Sequence, residues 1–222
     1  ASALCLRGIT KSFGSLIAND AIDLTLQEGE ILALLGENGA GKTTLMDIIY
    51  GEYLADIGSI EVFGKSLKPG STADAIEAGI GMVHQHFTLA ANMSVLDNII
   101  VGTERIWAPF SGRKKARERL VSLSKQFGLN ITPEADIGGL SVGECQRVEI
   151  LKALYRNAKI LIMDEPTAVL TPQEVDALFA TLRHLVNKGL SVILISHKLR
   201  EIMTVADRIL VLRRGRVVAE RV

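Results

Sequence analysis

The stretch EILALLGENGAGKTT, residues 30–44, decides the fold that we predict for this chain. Its first half, EILALLG, is an apolar run of strand length, and the apolar residues from Lys42 to Tyr50 have helical spacing until Gly51. The residues between them fit the pattern GxxxxGK(S/T) at every fixed position. Glycines let backbone N–H groups close around phosphate oxygens. The stretch therefore predicts a strand, a phosphate-binding loop and a helix of an α/β domain.

Two side chains of this loop suit a bound triphosphate and its metal. Lys42 supplies a positive charge toward the β and γ phosphates, and the hydroxyl of Thr43 suits Mg²⁺. The alternative is a chance glycine turn between a strand and a helix. Because both flanking elements have the required patterns, we favour phosphate binding.

Two further apolar runs have strand length, KILIMDEP at 159–166 and SVILISH at 191–197, and both end in polar residues. Buried parallel strands end in this way at the sheet edge where ligands bind. Between the runs, Thr171 is suited to cap a helix that has Pro172 at its first position and ends before Gly189. This alternation favours an α/β core.

The middle and the end of the chain follow other patterns. No strand pattern occurs from about residue 86 to 156, and three segments there are typical of successive helices: SVLDNII, RKKARERLVSLSKQFG and GECQRVEILKALYRN. The final stretch, RILVLRRGRVVAE, predicts a hairpin around Arg214 and Gly215. A helical insertion therefore interrupts the α/β core.

Length and composition limit the class of protein. With 222 residues, 48% of them hydrophobic, we expect one domain over 1–222, with a core of 1–85 and 157–222 and a helical subdomain of 86–156. Lys plus Arg and Asp plus Glu number 25 each, so the charge balance predicts no general nucleic-acid binding. Every apolar run is shorter than the ~18 residues of a spanning helix. The two cysteines predict no disulfide framework and a reducing compartment.

Asp164 and Glu165 follow one another at the end of an apolar run. Successive side chains of an extended segment diverge, so the two acids are expected to have different roles. Asp164 is placed to join a Mg²⁺ shell, and Glu165 to orient or deprotonate an attacking water. Alone, the segment DEP would more simply be a turn with solvated acids, but the phosphate-binding loop favours the catalytic interpretation.

A second anion site is predicted at GLSVGECQRVEI, residues 139–150. Ser141 can cap a helix, Gly143 leaves its first turn without a side chain, and Glu144 has the spacing of a capping box. A helix N-terminus with exposed N–H groups binds anions. The chain thus has two candidate phosphate sites, or one such site and a plain capping box.

Nearly all 222 residues resemble the nucleotide-binding domain of ATP-binding cassette transporters. Besides the P-loop and the two acids, VHQHF resembles the family's Q-loop with Gln85, and LISHK its switch region with His197. LSVGE resembles the signature motif, and Phe13 in KSFG has the place of the aromatic that stacks on adenine. Singly, Gln85 could be a loop glutamine, His197 a strand-end histidine and Phe13 a core residue. Their common order makes the resemblance specific.

The resemblance implies a P-loop NTPase core with a mainly parallel sheet, an antiparallel β subdomain and an inserted helical signature subdomain. It also implies that the chain binds ATP and Mg²⁺. The residues implied in catalysis are Glu165, His197, Lys42 and Gln85, and those at the metal are Thr43, Gln85 and Asp164. The residues implied in ATP binding are Phe13, Gly36, Asn38, Gly39, Ala40, Gly41, Lys42, Thr43, Thr44, Ser141 and Gly143.

In this family two cassettes close head to tail, and the signature helix of one contacts the γ-phosphate held by the other. The resemblance therefore implies a second cassette as partner, whose ATP would be met by Ser141 and Gly143. It also implies ATP hydrolysis that energises a membrane permease at the cytoplasmic face of the inner membrane, with an extracytoplasmic solute-binding protein as an indirect partner.

Three positions depart from the commonest family pattern. Val142 and Glu144 replace a glycine and a glutamine of the signature, and Thr171 replaces an aspartate that communicates across the dimer. With these residues the chain resembles importers of sugars and nucleosides, in which two cassettes are fused and this chain corresponds to the first. The absence of an initiating Met agrees with a fragment. His86 and Phe87 after the glutamine resemble nucleoside-type importers more than ribose or galactose types.

Other classes of cassette ATPase are the alternatives. DNA-repair and chromosome-organising members insert coiled coils or zinc modules between Q-loop and signature, and this sequence has no sustained heptads or cysteine cluster there. A ribosome-acting ATPase remains open from this sequence. A regulatory module without turnover is disfavoured by Glu165.

Overall fold

The computed structural model describes residues 1–101 and 111–221, and its strands and helices alternate along most of the chain. The strands are β1 Ser2–Phe13, β2 Leu16–Gln27, β3 Ile31–Leu35, β4 Ile57–Val62, β5 Lys65–Ser66, β6 Ile80–Val83, β7 Ile160–Asp164, β8 Ser191–Ser196, β9 Arg208–Arg213 and β10 Arg216–Arg221. The helices are α1 Lys42–Tyr50, α2 Thr72–Glu77, α3 Val95–Ile100, α4 Ser111–Gln126, α5 Val142–Tyr155, α6 Pro172–Asn187 and α7 Leu199–Val205.

The larger sheet has the strand order β10-β9-β3-β8-β7-β6. Its strands are parallel except β10, which forms the predicted hairpin with β9. Helices or another sheet cover both faces, which explains why β3, β7 and β8 are almost continuously apolar. Parallel pairing brings the carboxyl ends of β3, β7 and β8 to one edge, where the polar residues that follow them meet.

A smaller antiparallel sheet, ordered β2-β1-β4-β5, covers one face of the larger sheet. Leu4 of β1 and Ile22 of β2 share one apolar cluster with Leu34 of β3 and Ile162 of β7. The α/β fold with an antiparallel portion is thereby confirmed.

The opposite face packs against the helices of the middle segment. Leu96 of α3, Leu120 of α4 and Val148 of α5 join Leu161 of β7 in a second apolar cluster. Within the described part of 86–156 we find helices and one isolated bridge, and no strand. The subdomain boundaries at 85/86 and 156/157 stay a prediction. Among the described helices, none is both long enough and apolar enough to cross a bilayer.

Candidate active site

The loop between β3 and α1 has a backbone that requires glycine. Gly39 and Gly41 have φ values of 81° and 99°, in the left-handed region that side chains disfavour. Gly41 is also the N-cap of α1, which has no side-chain cap among the described residues and no acid in its first turn. The first N–H groups of α1 are therefore left for a ligand, and the helix dipole favours an anion there.

The loop is fixed from behind by residues distant in sequence. The fully buried amide of Asn19 donates from Nδ2 to the carbonyl of Gly41 at 3.0 Å. The N–H of Gly215 donates to Ala40 at 3.0 Å, and the N–H of Asp20 donates to the carbonyl of Gly215 at 2.8 Å. Strand β2 and the β9–β10 turn thus hold the loop in shape, a support that no local sequence pattern indicated.

Lys42 is buried and bends back over the loop. Its Nζ donates to the carbonyls of Gly36 at 2.6 Å and Glu37 at 3.0 Å. These contacts hold the ammonium group inside the concave side of the loop, where an anion would need its charge.

A cleft of about 540 Å³ adjoins the loop and brings most of the predicted site residues together. The predicted residues along it are Phe13, Asn38, Gly39, Gly41, Lys42, Thr43, Thr44, Gln85, Asp164 and Glu165. Gly36, Ala40 and His197 line a neighbouring cleft of about 590 Å³. Arg214 lines both clefts, although the sequence indicated only a turn there.

Glu165 and His197 form the most specific contact at this edge. Nδ1 of His197 lies 2.9 Å from Oε1 of Glu165, whose side chain is only 11% exposed. The second carboxylate oxygen, Oε2, is buried and has no partner among the described residues. Glu165 also has a φ of 46°, which is uncommon outside glycine, and its N–H donates to Ile195 at 3.0 Å. The left-handed turn after β7 therefore carries the carboxylate toward the end of β8.

Asp164 lies beside this pair and is also buried. Burial raises the pKa of its carboxyl, the charge of Glu165 raises it further, and His84 and Lys42 act in the opposite direction. The hydroxyl of Thr43, the amide of Gln85 and this carboxylate are hard oxygen donors, which fit Mg²⁺. Among the described residues, no group of three or more His, Cys, Asp or Glu could hold a metal ion. The donors of Thr43, Gln85 and Asp164 suit an ion that is shared with phosphates.

Phe13 is 44% exposed, which excludes the alternative that it belongs to the core. Its ring meets that of Tyr53 edge to face at 5.6 Å, and Nζ of Lys11 lies 5.3 Å from its centroid. These contacts fix the ring at the rim of the cleft, where a flat base can stack on it.

The second predicted anion site lies elsewhere, at the start of α5. The capping box is confirmed: Ser141 N–H donates to Glu144 at 2.8 Å, and Glu144 N–H donates to Ser141 Oγ at 3.2 Å. The sequence did not indicate the third contact, in which Gly143 N–H donates to Oε1 of Glu174 at 3.3 Å. Oε2 of Glu174 accepts from Thr171 N–H at 2.9 Å. Neither Ser141 nor Gly143 lines the cleft beside the loop.

Comparisons with known proteins identify the family of the chain. A family model described as ABC transporter matches residues 19–168. The chain is 51% identical over 208 residues to the nucleoside import ATP-binding protein NupA of Lactococcus lactis subsp. cremoris, and 50% identical over 208 residues to the guanosine import ATP-binding protein NupO of Bacillus subtilis. It is 45% identical over 240 residues to the glucose import ATP-binding protein TsgD13 of Haloferax volcanii.

These matches cover 94%, 94% and 96% of this chain, which spans only 41%, 41% and 44% of the relatives' lengths. Among solved structures, an ATP-binding cassette of an ABC transporter in its ADP conformation has a TM-score of 0.87 at 26% identity, over 99% of this chain and 91% of that one. The protein cbiO1 of Clostridium perfringens has a TM-score of 0.86 at 26% identity, over 99% and 88%. Sequence and structure agree along the same residues, and the chain belongs to the ABC transporter family.

Proposed function

We propose that this chain is the ATP-binding and hydrolysing cassette of an importer that takes up a nucleoside or a simple sugar through a membrane permease. The observation that carries the proposal is the contact between Glu165 and His197 beside the P-loop. A module that only bound nucleotide would need the loop and Lys42. It would have no need of a mostly buried carboxylate held by a histidine at the same edge.

The proposed hydrolysis divides its tasks among separate groups. Phe13 stacks on adenine, while Lys42 and the N–H groups of 38–44 hold the phosphates. The contact with His197 orients Glu165, whose carboxylate accepts a proton from the attacking water. His197 also contacts the γ-phosphate and responds to its loss.

Thr43, Gln85 and Asp164 are the residues that would hold Mg²⁺. The ion, when bound, neutralises charge on the β and γ phosphate oxygens. The raised pKa of Asp164 is consistent with this role, because a buried carboxylate gains most from a cation placed beside it.

The partner proposed for Ser141 and Gly143 is a second cassette, fused downstream in a longer chain. Both residues lie outside the cleft that Lys42 lines, which supports contact with a phosphate held by another cassette. The chain's share of its relatives' length, 41% to 44%, leaves room for that cassette. In the same proposal the assembly is peripheral at the cytoplasmic face of the inner membrane. The segment after Gln85 contacts the permease, and an extracytoplasmic solute-binding protein delivers the solute.

One consequence concerns the isolated 222 residues. Because each site would lack the donors of a second signature helix, the chain should be monomeric without ATP and a poor ATPase. Light scattering with and without ATP, on the Glu165→Gln variant, tests the association. Fast hydrolysis by a species that stays monomeric would contradict the two-cassette arrangement.

Within the two solute classes we propose a nucleoside. Identity is 51% and 50% with relatives named for nucleoside and guanosine import, against 45% with one named for glucose import. Cells that lack the intact gene should lose uptake of a labelled purine nucleoside. Restoring the gene with Gln85→Ala should recover ATP binding but little transport. Normal nucleoside uptake in the deletion strain, with loss of pentose or hexose uptake, would assign the cassette to sugars.

A further inference from the structure

Glu149 of α5 is a buried acid in an otherwise apolar segment. Glu149 is only 7% exposed, and its neighbours Val148 and Ile150 are fully buried. A carboxylate in such a place costs free energy unless strong hydrogen bonds satisfy it. Neither the P-loop chemistry nor the signature motif uses this residue, so its contacts call for a separate explanation.

The contacts of Glu149 all lead to one residue of the Q-loop. Its Oε1 accepts the backbone N–H of Thr88 at 2.7 Å and the hydroxyl of Thr88 at 3.0 Å. Nζ of Lys152, one helical turn further along α5, donates to the same hydroxyl at 3.4 Å. Two donors on one charged acceptor make a stronger and more directional link than a single neutral hydrogen bond.

Thr88 is three residues beyond Gln85, in backbone that is neither helix nor strand. On the other side of Gln85, β6 ends at Val83, which pairs with Met163 of β7. Strand pairing therefore fixes the start of this loop to the sheet, whereas Glu149 fixes its end to α5. Gln85 lies between these two attachments, and its position depends on both.

A second attachment follows and leads to the same group of helices. Asn98 of α3 accepts the N–H of Ala90 at 2.7 Å and donates from Nδ2 to the carbonyl of Ala90 at 3.1 Å. Hydrogen bonds thus attach the backbone at Thr88 and Ala90 to the helices. Gln85 is the last site residue before that attachment.

From this geometry we infer that Glu149 is a positioning residue: through Thr88 it sets where Gln85 stands relative to Asp164 and Thr43. The inference rests on the proposed function, because the importance of Gln85 comes from its place in the Mg²⁺ shell. Gly143 and Glu149 are on one helix, about 9 Å apart along its axis at 1.5 Å per residue. A displacement of α5 caused at Gly143 by a second cassette therefore reaches Gln85 through the carboxylate of Glu149.

The test compares the parent chain with Glu149→Ala, Glu149→Gln and Thr88→Ala. Hydrogen exchange of the peptide that covers 84–90 reports the Thr88 N–H contact without nucleotide. In Glu149→Ala we expect this exchange to rise about tenfold or more, since a hydrogen bond to a charged group is lost. The Mg²⁺ concentration at half-maximal ATP binding should rise by about the same factor, with metal-free ATP binding unchanged. Glu149→Gln keeps an acceptor oxygen without the charge and should restore both values in part.

Glu30→Ala is the matched control, because Glu30 is a similarly buried acid whose Oε2 accepts a backbone N–H, that of Gln27, at 2.6 Å. It should lower the Tm without changing the exchange of 84–90 or the Mg²⁺ dependence. Thr88→Ala changes an exposed side chain and removes only the hydroxyl contact, so it should give a smaller shift in a folded protein.

The inference is overturned if Glu149→Ala lowers the Tm while exchange and Mg²⁺ dependence stay at the parent values. Should Glu149→Ala not fold, an unchanged Mg²⁺ dependence in Thr88→Ala overturns it equally. A parent chain that failed to bind ATP would instead contradict the proposed function. The exchange measurement would still decide the Glu149 contact in that case.

Discussion

The N-termini of α1 and α5 are both candidate phosphate sites, but they differ in whether side chains cap them. At α1 the capping residue is Gly41, with no side-chain cap and no acid in the first turn. At α5 two carboxylates are present: Glu144 accepts from Ser141, and Glu174 accepts from Gly143. One helix start is left bare, and the other is covered by acids of the same chain.

The difference shows which site can bind phosphate without rearrangement. A helix N-terminus carries a partial positive charge, so a bare one attracts an anion and one with carboxylates is already compensated. Hydrogen bonds from Ser141 lower the pKa of Glu144, and those from Thr171 lower the pKa of Glu174. Both acids therefore stay charged. The start of α1 can hold ATP directly, whereas a phosphate at α5 has to replace the carboxylate of Glu174.

The largest effect is expected at Glu165, which contacts His197 beside the P-loop. In Glu165→Gln the amide cannot accept the proton of the attacking water, so hydrolysis should fall by about 10²- to 10⁴-fold. ATP affinity should not change. Phosphate release and nucleotide binding, measured beside the exposed control Glu77→Gln, decide the matter. Undiminished turnover would remove Glu165 from its proposed role.

Lys42→Ala tests the bare site itself. The phosphates would lose the charge that the loop carbonyls now hold in place, and ATP affinity should fall by about 10- to 100-fold. Titration with a fluorescent ATP analogue measures this, with the exposed Lys65→Ala as the control. Normal affinity in Lys42→Ala would contradict the assignment of the P-loop.

Glu174→Gln tests the covered site. The amide oxygen can still accept from Gly143, but the negative charge that opposes an incoming phosphate is gone. In the Glu165→Gln background, ATP-dependent association of the chain should strengthen by about three- to tenfold. Asp176→Asn removes an exposed charge from the same helix and should have no effect. Equal changes in both variants, or weaker association in Glu174→Gln, would contradict the conclusion that the charge of Glu174 opposes a phosphate at the start of α5.

The smallest effect is expected for Asp47, an acid of α1 that lies outside the first turn of the helix. Burial, followed by the charges of Glu52 and Asp164, raises the pKa of Asp47 to about 6. The folded chain then holds this proton to a higher pH than the unfolded chain, so its contribution to stability is present at low pH and is lost as the pH rises through about 6.

In Asp47→Asn, the loss of stability that accompanies the rise in pH should be absent. With allowance for partial exposure, the Tm difference between variant and parent should change by about 2 to 4 °C between acidic and neutral pH. Thermal unfolding across this range is the measurement. A constant difference at all pH values would mean that Asp47 has an ordinary pKa.

Local patterns predicted the parts of this fold that local forces determine. The apolar runs of β3, β7 and β8, the glycine loop and the capping box of Ser141 are each marked by residues that lie within a few positions of one another in the sequence. Strands β1 and β2 were not identified individually, although Ile22, Leu24 and Leu26 of β2 are buried and alternate with exposed or half-buried residues. Their antiparallel sheet came only from the family resemblance.

Contacts between distant residues left no such pattern. The resemblance placed Glu165 and His197 in one site, but their hydrogen bond depends on β7 and β8 lying side by side. The hydrogen bond between Gly143 and Glu174 joins residues 31 positions apart. The one between Thr88 and Glu149 joins residues 61 positions apart. The periodicity of the sequence around these residues does not indicate that they pair, so the contacts are found only in the folded structure.

The support behind the P-loop also constrains the order in which the protein matures on the ribosome. The loop is synthesised early, but the carbonyl of Ala40 receives its hydrogen bond from Gly215, and β3 lies between the late strands β8 and β9. At the usual rate of translation, residue 215 follows residue 40 after roughly 10 to 35 s. Until then the loop lacks the part of its support that comes from the β9–β10 turn. The loop therefore gains its complete support only in a chain that has been translated as far as Gly215.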